Sequence, residues 1–292
     1  MNGLPAEAPR DAAAATRHRW LRPSLLLVVE FLVLAIPFDL AYGFAMDVVY
    51  RSAPLAGVLF ALVAGAVLGH VYHLWARFVA RRDSSELVLN RVAGIAIGAA
   101  IGAGLMCAVV ACIALAGDLR LGVGRGPASA GLPGVAVLAA IAEELIARGV
   151  ILRNLENVFG SVVAIIVTAA IFGALHHGNP HATALSTTAV GIEGGVMLSA
   201  VYIATRSLWW TIGLHMAWNF TQTTVFGIAD SGHRGSGFFA SEMQGPEWIT
   251  GGVFGVEASL LSVVACAIVA AIFLVHAWRA RRFVAPIWSR SP

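Results

Sequence analysis

Lysine is absent from this 292-residue sequence, so the 19 basic residues other than histidine are all arginines. Charge of either sign is scarce. Only 12% of residues are Asp, Glu, Lys or Arg against 59% hydrophobic, with a mean hydropathy of +0.81, which excludes an ordinary soluble domain of this length. No polar block long enough for a soluble domain separates the apolar segments, which predicts a single all-α polytopic membrane bundle of about eight transmembrane helices. The three cysteines, Cys107, Cys112 and Cys266, lie inside apolar spans at spacings that suit neither a disulfide framework nor a zinc knuckle. They read as small core residues. Residues 1–23 lack an apolar run, which predicts a disordered cytoplasmic tail rather than a cleaved leader.

The apolar segments place a membrane domain over 24–280. Spans are expected at about Ser24 to Met46, Pro54 to Phe78, Val92 to Gly117, Leu132 to Leu152, Gly160 to His177, Ala182 to Thr205, Leu208 to Ile228 and Val256 to Trp278. Glu30 and Asp39 of the first span should point inward. Gly94, Gly98 and Gly102, four residues apart, let another helix approach the third span closely. Residues 229–255 form a long glycine-rich connection, partly re-entrant, and 281–292 a basic cytoplasmic tail. With both termini inside, Arg51, Arg120, Arg125 and Arg234 alone fall on the outer side. That asymmetry fits the positive-inside rule and marks the arginines as loop residues rather than a nucleic-acid surface.

Against this apolar background, Glu143, Glu144 and Arg148 stand inside the fourth span. At 3.6 residues per turn Glu144 and Arg148 face one side of the helix and can neutralise each other. Glu143 has no local partner. An intramembrane acid without one must face a polar cavity, protonate or meet a base on another helix. Two histidines are placed to serve: His176, one turn after Phe172 on the fifth span, and His215, one turn before Asn219 on the seventh. Around one cavity these groups satisfy each other. A carboxylate or imidazole there could take a proton from water while a second imidazole and an amide N–H stabilise the oxyanion, as peptide hydrolysis requires. Glu143, His176 and His215 could equally ligate zinc, although no His-Glu-x-x-His helix is present. So the cofactor is either Zn2+ or none. A non-hydrolytic transporter, immunity or scaffold protein binding a peptide in the same cavity is the rival reading. Glu193 and Glu257 read as packing groups beside glycine. Trp209, Trp210 and Trp278 read as interfacial anchors, and His70 and His73 as snorkelling tips.

Glu143-Glu144-x-x-x-Arg148, Phe172-x-x-x-His176 and His215-x-x-x-Asn219, in this order on separate spans, resemble the CAAX prenyl endopeptidases and bacteriocin-processing (CPBP) intramembrane proteases. The resemblance extends over 132–261. It implies a glutamate-dependent or metal-dependent endopeptidase acting on a membrane-associated peptide or protein in a bacterial cell membrane. By the same resemblance Glu143 and His176 activate water, His215 and Asn219 form the oxyanion site, and Glu144, Arg148 and Phe172 support them. Ala147 departs from the family pattern, which commonly has an aromatic residue before the motif arginine.

Counting residues from the span boundaries puts His215 about 10 Å nearer the inner face than Glu143, which would separate the groups that the chemistry brings together.

Overall fold

The computed structural model of the chain describes residues 36–126 and 132–290. The expectations for the tail 1–23, for Glu30 and for the side chain of Asp39 lie outside the described residues. The described chain is built from α1 (Ile36–Arg51), α2 (Pro54–Phe78), α3 (Gly94–Leu115), α4 (Leu132–Glu144), α5 (Arg153–Leu175), α6 (Ala184–Val190), α7 (Leu198–Thr205), α8 (Leu208–Phe220), a single turn α9 (Glu247–Thr250) and α10 (Leu260–Arg279). π-helical segments extend three of these: Leu145–Leu152 joins α4 to α5, Gly191–Met197 joins α6 to α7, and Thr221–Val225 prolongs α8.

Five helical stretches of the described residues are long and apolar enough to cross a membrane: 54–78, 89–115, 132–178, 184–205 and 260–279. The expected fourth and fifth spans share one of these, and their boundary is a corner at Gly160, whose φ of 81° is open to glycine and costly for other residues. The expected seventh is helical, but His215, Asn219, Gln222 and a run of threonines dilute its hydropathy. A further element falls where sequence reading placed only loops. β1 (Leu119–Val123) pairs antiparallel with β2 (Phe239–Met243), Leu119 opposite Met243.

The glycine row on α3 does what its spacing predicts, and its partner is α8. A Cβ added at Gly98 would sit 2.2 Å from the Trp210 carbonyl oxygen and one at Gly102 2.2 Å from that of Leu214, while Gly213 is equally tight against Ile95. The two backbones therefore touch, and α8 is fixed at a depth and rotation that any side chain here would disturb. Gly102→Val is expected to destabilise the protein by about 1–3 kcal/mol, read as a lower thermal midpoint in detergent.

Two of the cysteines differ from expectation. Cys266 is buried, but Cys107 and Cys112 lie on the outer face of α3. Lipid tails are as apolar as a protein core, so hydropathy does not tell the two faces apart. Trp210 differs from a simple belt anchor, because its ring lies against Gly94 and edge-on to Phe273.

At the arginine-rich end, buried Glu86 accepts hydrogen bonds from Arg82 at 2.9 Å, Arg153 at 2.5 Å and the Tyr72 hydroxyl at 2.5 Å. The same hydroxyl, whose one proton goes mainly to Glu86, lies 3.0 Å from the Gly149 carbonyl inside the π-helical segment after Glu144, which brings α2 against the helix that carries the paired acids. Burial opposes ionisation of Glu86, but Arg153, Arg82 and Tyr72 outweigh it and hold the carboxyl below its ordinary 4.5. A carboxyl depressed on folding stabilises the fold fully above that ordinary value and loses the contribution as pH falls through the lowered one. Glu86→Gln should lower stability at neutral pH by about 3 kcal/mol and flatten the acid limb of a thermal-midpoint series against pH.

The described part of the expected basic tail, 281–290, packs against α5. Ser161 and Val284 exchange backbone and hydroxyl hydrogen bonds at 3.0 and 2.8 Å, beside the Gly160 corner. Buried Glu156 joins the same cluster, accepting from the Ser161 hydroxyl and from both terminal nitrogens of Arg206.

Candidate active site

The site begins where α4 widens into its π-helical segment. One turn links Glu144 to Arg148, whose Nη1 donates to Glu144 Oε1 at 2.8 Å with both side chains fully buried. Arg148 Nη2 also reaches the Gly195 carbonyl at 3.3 Å, and the guanidinium lies 5.2 Å from the centre of the Phe172 ring. Gly194 makes room for that ring, since a Cβ there would stand 2.2 Å from Phe172. Thus three helical segments are clamped around one ion pair. π-helical turns recur at functional sites because they re-aim side chains without ending the helix, and the three among the described residues adjoin cavity-lining residues.

Glu144 does more than neutralise Arg148. Its Oε1 lies 3.0 Å from His215 Nδ1, so the carboxylate that fixes the arginine also fixes the imidazole of α8. With Nδ1–H held by Glu144, His215 turns Nε2 toward Glu143, 4.0 Å from its Oε2. Glu143 retains 27% of its side-chain exposure, whereas Glu144 has none. The Tyr42 hydroxyl approaches Glu143 Oε1 at 3.5 Å. On α5, the Phe172 carbonyl lies 2.7 Å from His176 Nδ1 and accepts its proton, which leaves Nε2 as the acceptor of the neutral ring. The Phe172 and His176 rings pack 4.8 Å apart.

Glu143, His176, His215 and Asn219 all line one cavity of about 800 Å³. Ala147 lines it too, where a larger side chain would intrude. Among the described residues no three or more His, Cys, Asp and Glu stand close enough together to hold a metal ion. The geometry therefore gives the zinc alternative for Glu143, His176 and His215 no support.

Sequence reasoning passed over several other lining residues: Tyr42, Glu193, Asp230 and Glu257. Glu193 carried the same signal as Glu143, an acid within an apolar span, and its neighbouring glycines suggested packing instead. Asp230 carried none, being one polar residue in a long connection. Burial, the Glu257 carboxylate and the charge of Glu143 hold the Asp230 carboxyl well above its usual range. Burial and the nearby His176 push the His233 imidazole below its own.

Residues 127–221 match the family model described as type II CAAX prenyl endopeptidase, Rce1-like. Over this stretch, about a third of the chain, the sequence is similar to that family. No curated protein and no solved structure matches the chain. The Rce1-like stretch carries Glu143, Glu144, Arg148, Phe172, His176, His215 and Asn219, and with the apolar helices it marks an integral membrane protein. The ribbon strand β2, the connection bearing Asp230, Glu257 and α10 lie beyond its end.

Proposed function

We propose that the protein is an intramembrane endopeptidase that hydrolyses a peptide bond of a membrane-associated peptide or protein. The observation that carries this reading is the partly exposed Glu143 beside His215, at a cavity that His176 and Asn219 also line. Water in that cavity loses a proton to Glu143 while its oxygen attacks the scissile carbonyl carbon. The tetrahedral oxyanion is met by the Asn219 amide N–H and by His215 Nε2–H when the ring carries a proton on both nitrogens, with Glu144 facing Nδ1 and Glu143 facing Nε2. Glu143 then returns the proton to the leaving amine nitrogen, and the C–N bond breaks. His176, whose free Nε2 is a base, shares the proton transfer. Glu144 and Arg148 are positioning residues: they hold the His215 ring by Nδ1 at one angle, with Nε2 turned toward Glu143.

On the positive-inside rule, the end where Arg82, Arg153 and Arg206 gather is read as the cytoplasmic face of a bacterial membrane, with both termini there. Mass spectrometry of membrane peptides from cells carrying the wild-type protein or Glu143→Gln tests the activity. Cleavage products should disappear with the variant. Identical peptide profiles would instead favour a transporter or scaffold using the same chamber.

A further inference from the structure

Beside the proposed hydrolytic centre the cavity has a second, acidic part. Glu257 is 2% exposed, and its carboxylate is held by the Ser231 backbone N–H and by the Gln222 amide. Asp230, next to Ser231 in the chain, lines the cavity beside that carboxylate. Facing this pair is Glu193 on the π-helical segment between α6 and α7, which is 5% exposed, lines the cavity, and has an Oε1 buried with no hydrogen-bond partner. An orphaned carboxylate oxygen is costly unless something arrives to satisfy it.

Several features say what arrives. Among the described lining residues, exposed Asp47 is paired with Arg51, and the four other carboxyl groups (Glu143, Glu193, Asp230 and Glu257) stand against one guanidinium, that of exposed Arg234, so the interior favours a cation. A bare metal ion does not suit the arrangement, because no three ligands are close enough together. The cavity is also far larger than an ion needs. An organic cation on a flexible stem fits: its stem lies along apolar lining such as Val190 and Met197, and its N–H donors reach separate carboxylates.

We propose that Glu193, Asp230 and Glu257 form a specificity subsite for a lysine or arginine side chain of the substrate, next to the scissile bond. That the occupant is part of a peptide rests on the endopeptidase reading. Glu193, Asp230 and Glu257 line the same cavity as Glu143 and His176, so the subsite shares a chamber with the reacting groups. The subsite lies largely outside the Rce1-like stretch, since only Glu193 falls within it. It is therefore a property of this chain's own connection between α8 and α10.

The test uses full-length protein in lipid nanodiscs and a set of palmitoyl-anchored peptides in which each position in turn is lysine, arginine, norleucine or glutamate. Retention on the Glu143→Gln protein is measured by photo-crosslinking, and cleavage by the wild type by mass spectrometry. At one position lysine or arginine should be retained about tenfold over norleucine, and glutamate less than either. Glu193→Gln and, separately, Asp230→Asn, each added to the Glu143→Gln background, should bring that ratio near unity, with thermal melting confirming that each is folded. Asp230→Asn alters the connection rather than a packed helix, so one variant remains if the other does not fold. Equal retention of lysine and norleucine at every position, retention of no peptide, or a ratio unchanged in both variants would overturn the subsite. Preferential retention without any cleavage by the wild type would leave the subsite standing and remove the endopeptidase reading.

Discussion

Purified Glu143→Gln protein is expected to melt at or above the wild-type temperature and to hydrolyse peptide at least about 10³-fold more slowly. The amide keeps the volume of the carboxylate and can still accept from Tyr42, so packing around α4 is preserved. What it loses is the site that takes a proton from water and returns it to the leaving amine. Stability should not suffer, because removing a charge from a mostly apolar chamber relieves desolvation rather than adding to it. The variant should bind substrate no worse than about tenfold, so the loss appears in kcat rather than KM. Wild-type turnover by Glu143→Gln would show that another group activates the water.

Arg148→Met is expected to be the most destabilising single change, by about 3–5 kcal/mol. It strands the fully buried Glu144 carboxylate without its guanidinium, in surroundings where Glu144 Oε2 already lacks a partner. Methionine fills much of the arginine stem's volume beside Phe172, so the cost is electrostatic and not a cavity. The double variant Glu144→Gln/Arg148→Met removes both charges and should recover most of the thermal midpoint, a coupling that a double-mutant cycle measures. Activity should stay down by about 10²-fold or more, because the neutral amide, free of Arg148, no longer fixes the His215 ring from Nδ1 with a charged partner, and Nε2 loses its aim. Recovery of stability without recovery of rate separates structural support from the orientation of His215. Additive losses would mean that the pair does not act as a unit.

Part of this site is local and so was readable in one dimension. An α-helix repeats every 3.6 residues, and that period alone paired Glu144 with Arg148 and stacked Phe172 on His176. The expense of burying charge singled out Glu143 just as directly. The glycine row of α3 announced a close helical neighbour, and the corner at Gly160 fell where the fifth span was expected to begin.

What linear reading missed was relative depth and partner choice. Residue counting set His215 about 10 Å from the level of Glu143, yet its Nδ1 lies 3.0 Å from the adjacent Glu144. The error came from span ends that hydropathy blurs. In the fold, Arg153 and Trp209 both bond to the 86–88 segment, so α4 and α8 are measured from a shared level and their polar residues meet.

The sequence by itself determined the helical class, the membrane setting, the Glu144–Arg148 pair and the residue types of the proposed reacting centre, because each follows from periodicity or from the cost of a charge in an apolar span. Only the tertiary structure decided that Glu144 also grips His215, that Cys107 and Cys112 face outward, that Glu193, Asp230 and Glu257 share the chamber, and that the 281–290 segment is bound at the Gly160 corner. Those outcomes depend on contacts between segments far apart in the chain, and in a membrane protein the inward and lipid-facing sides of a helix are equally apolar, so hydropathy cannot choose between them.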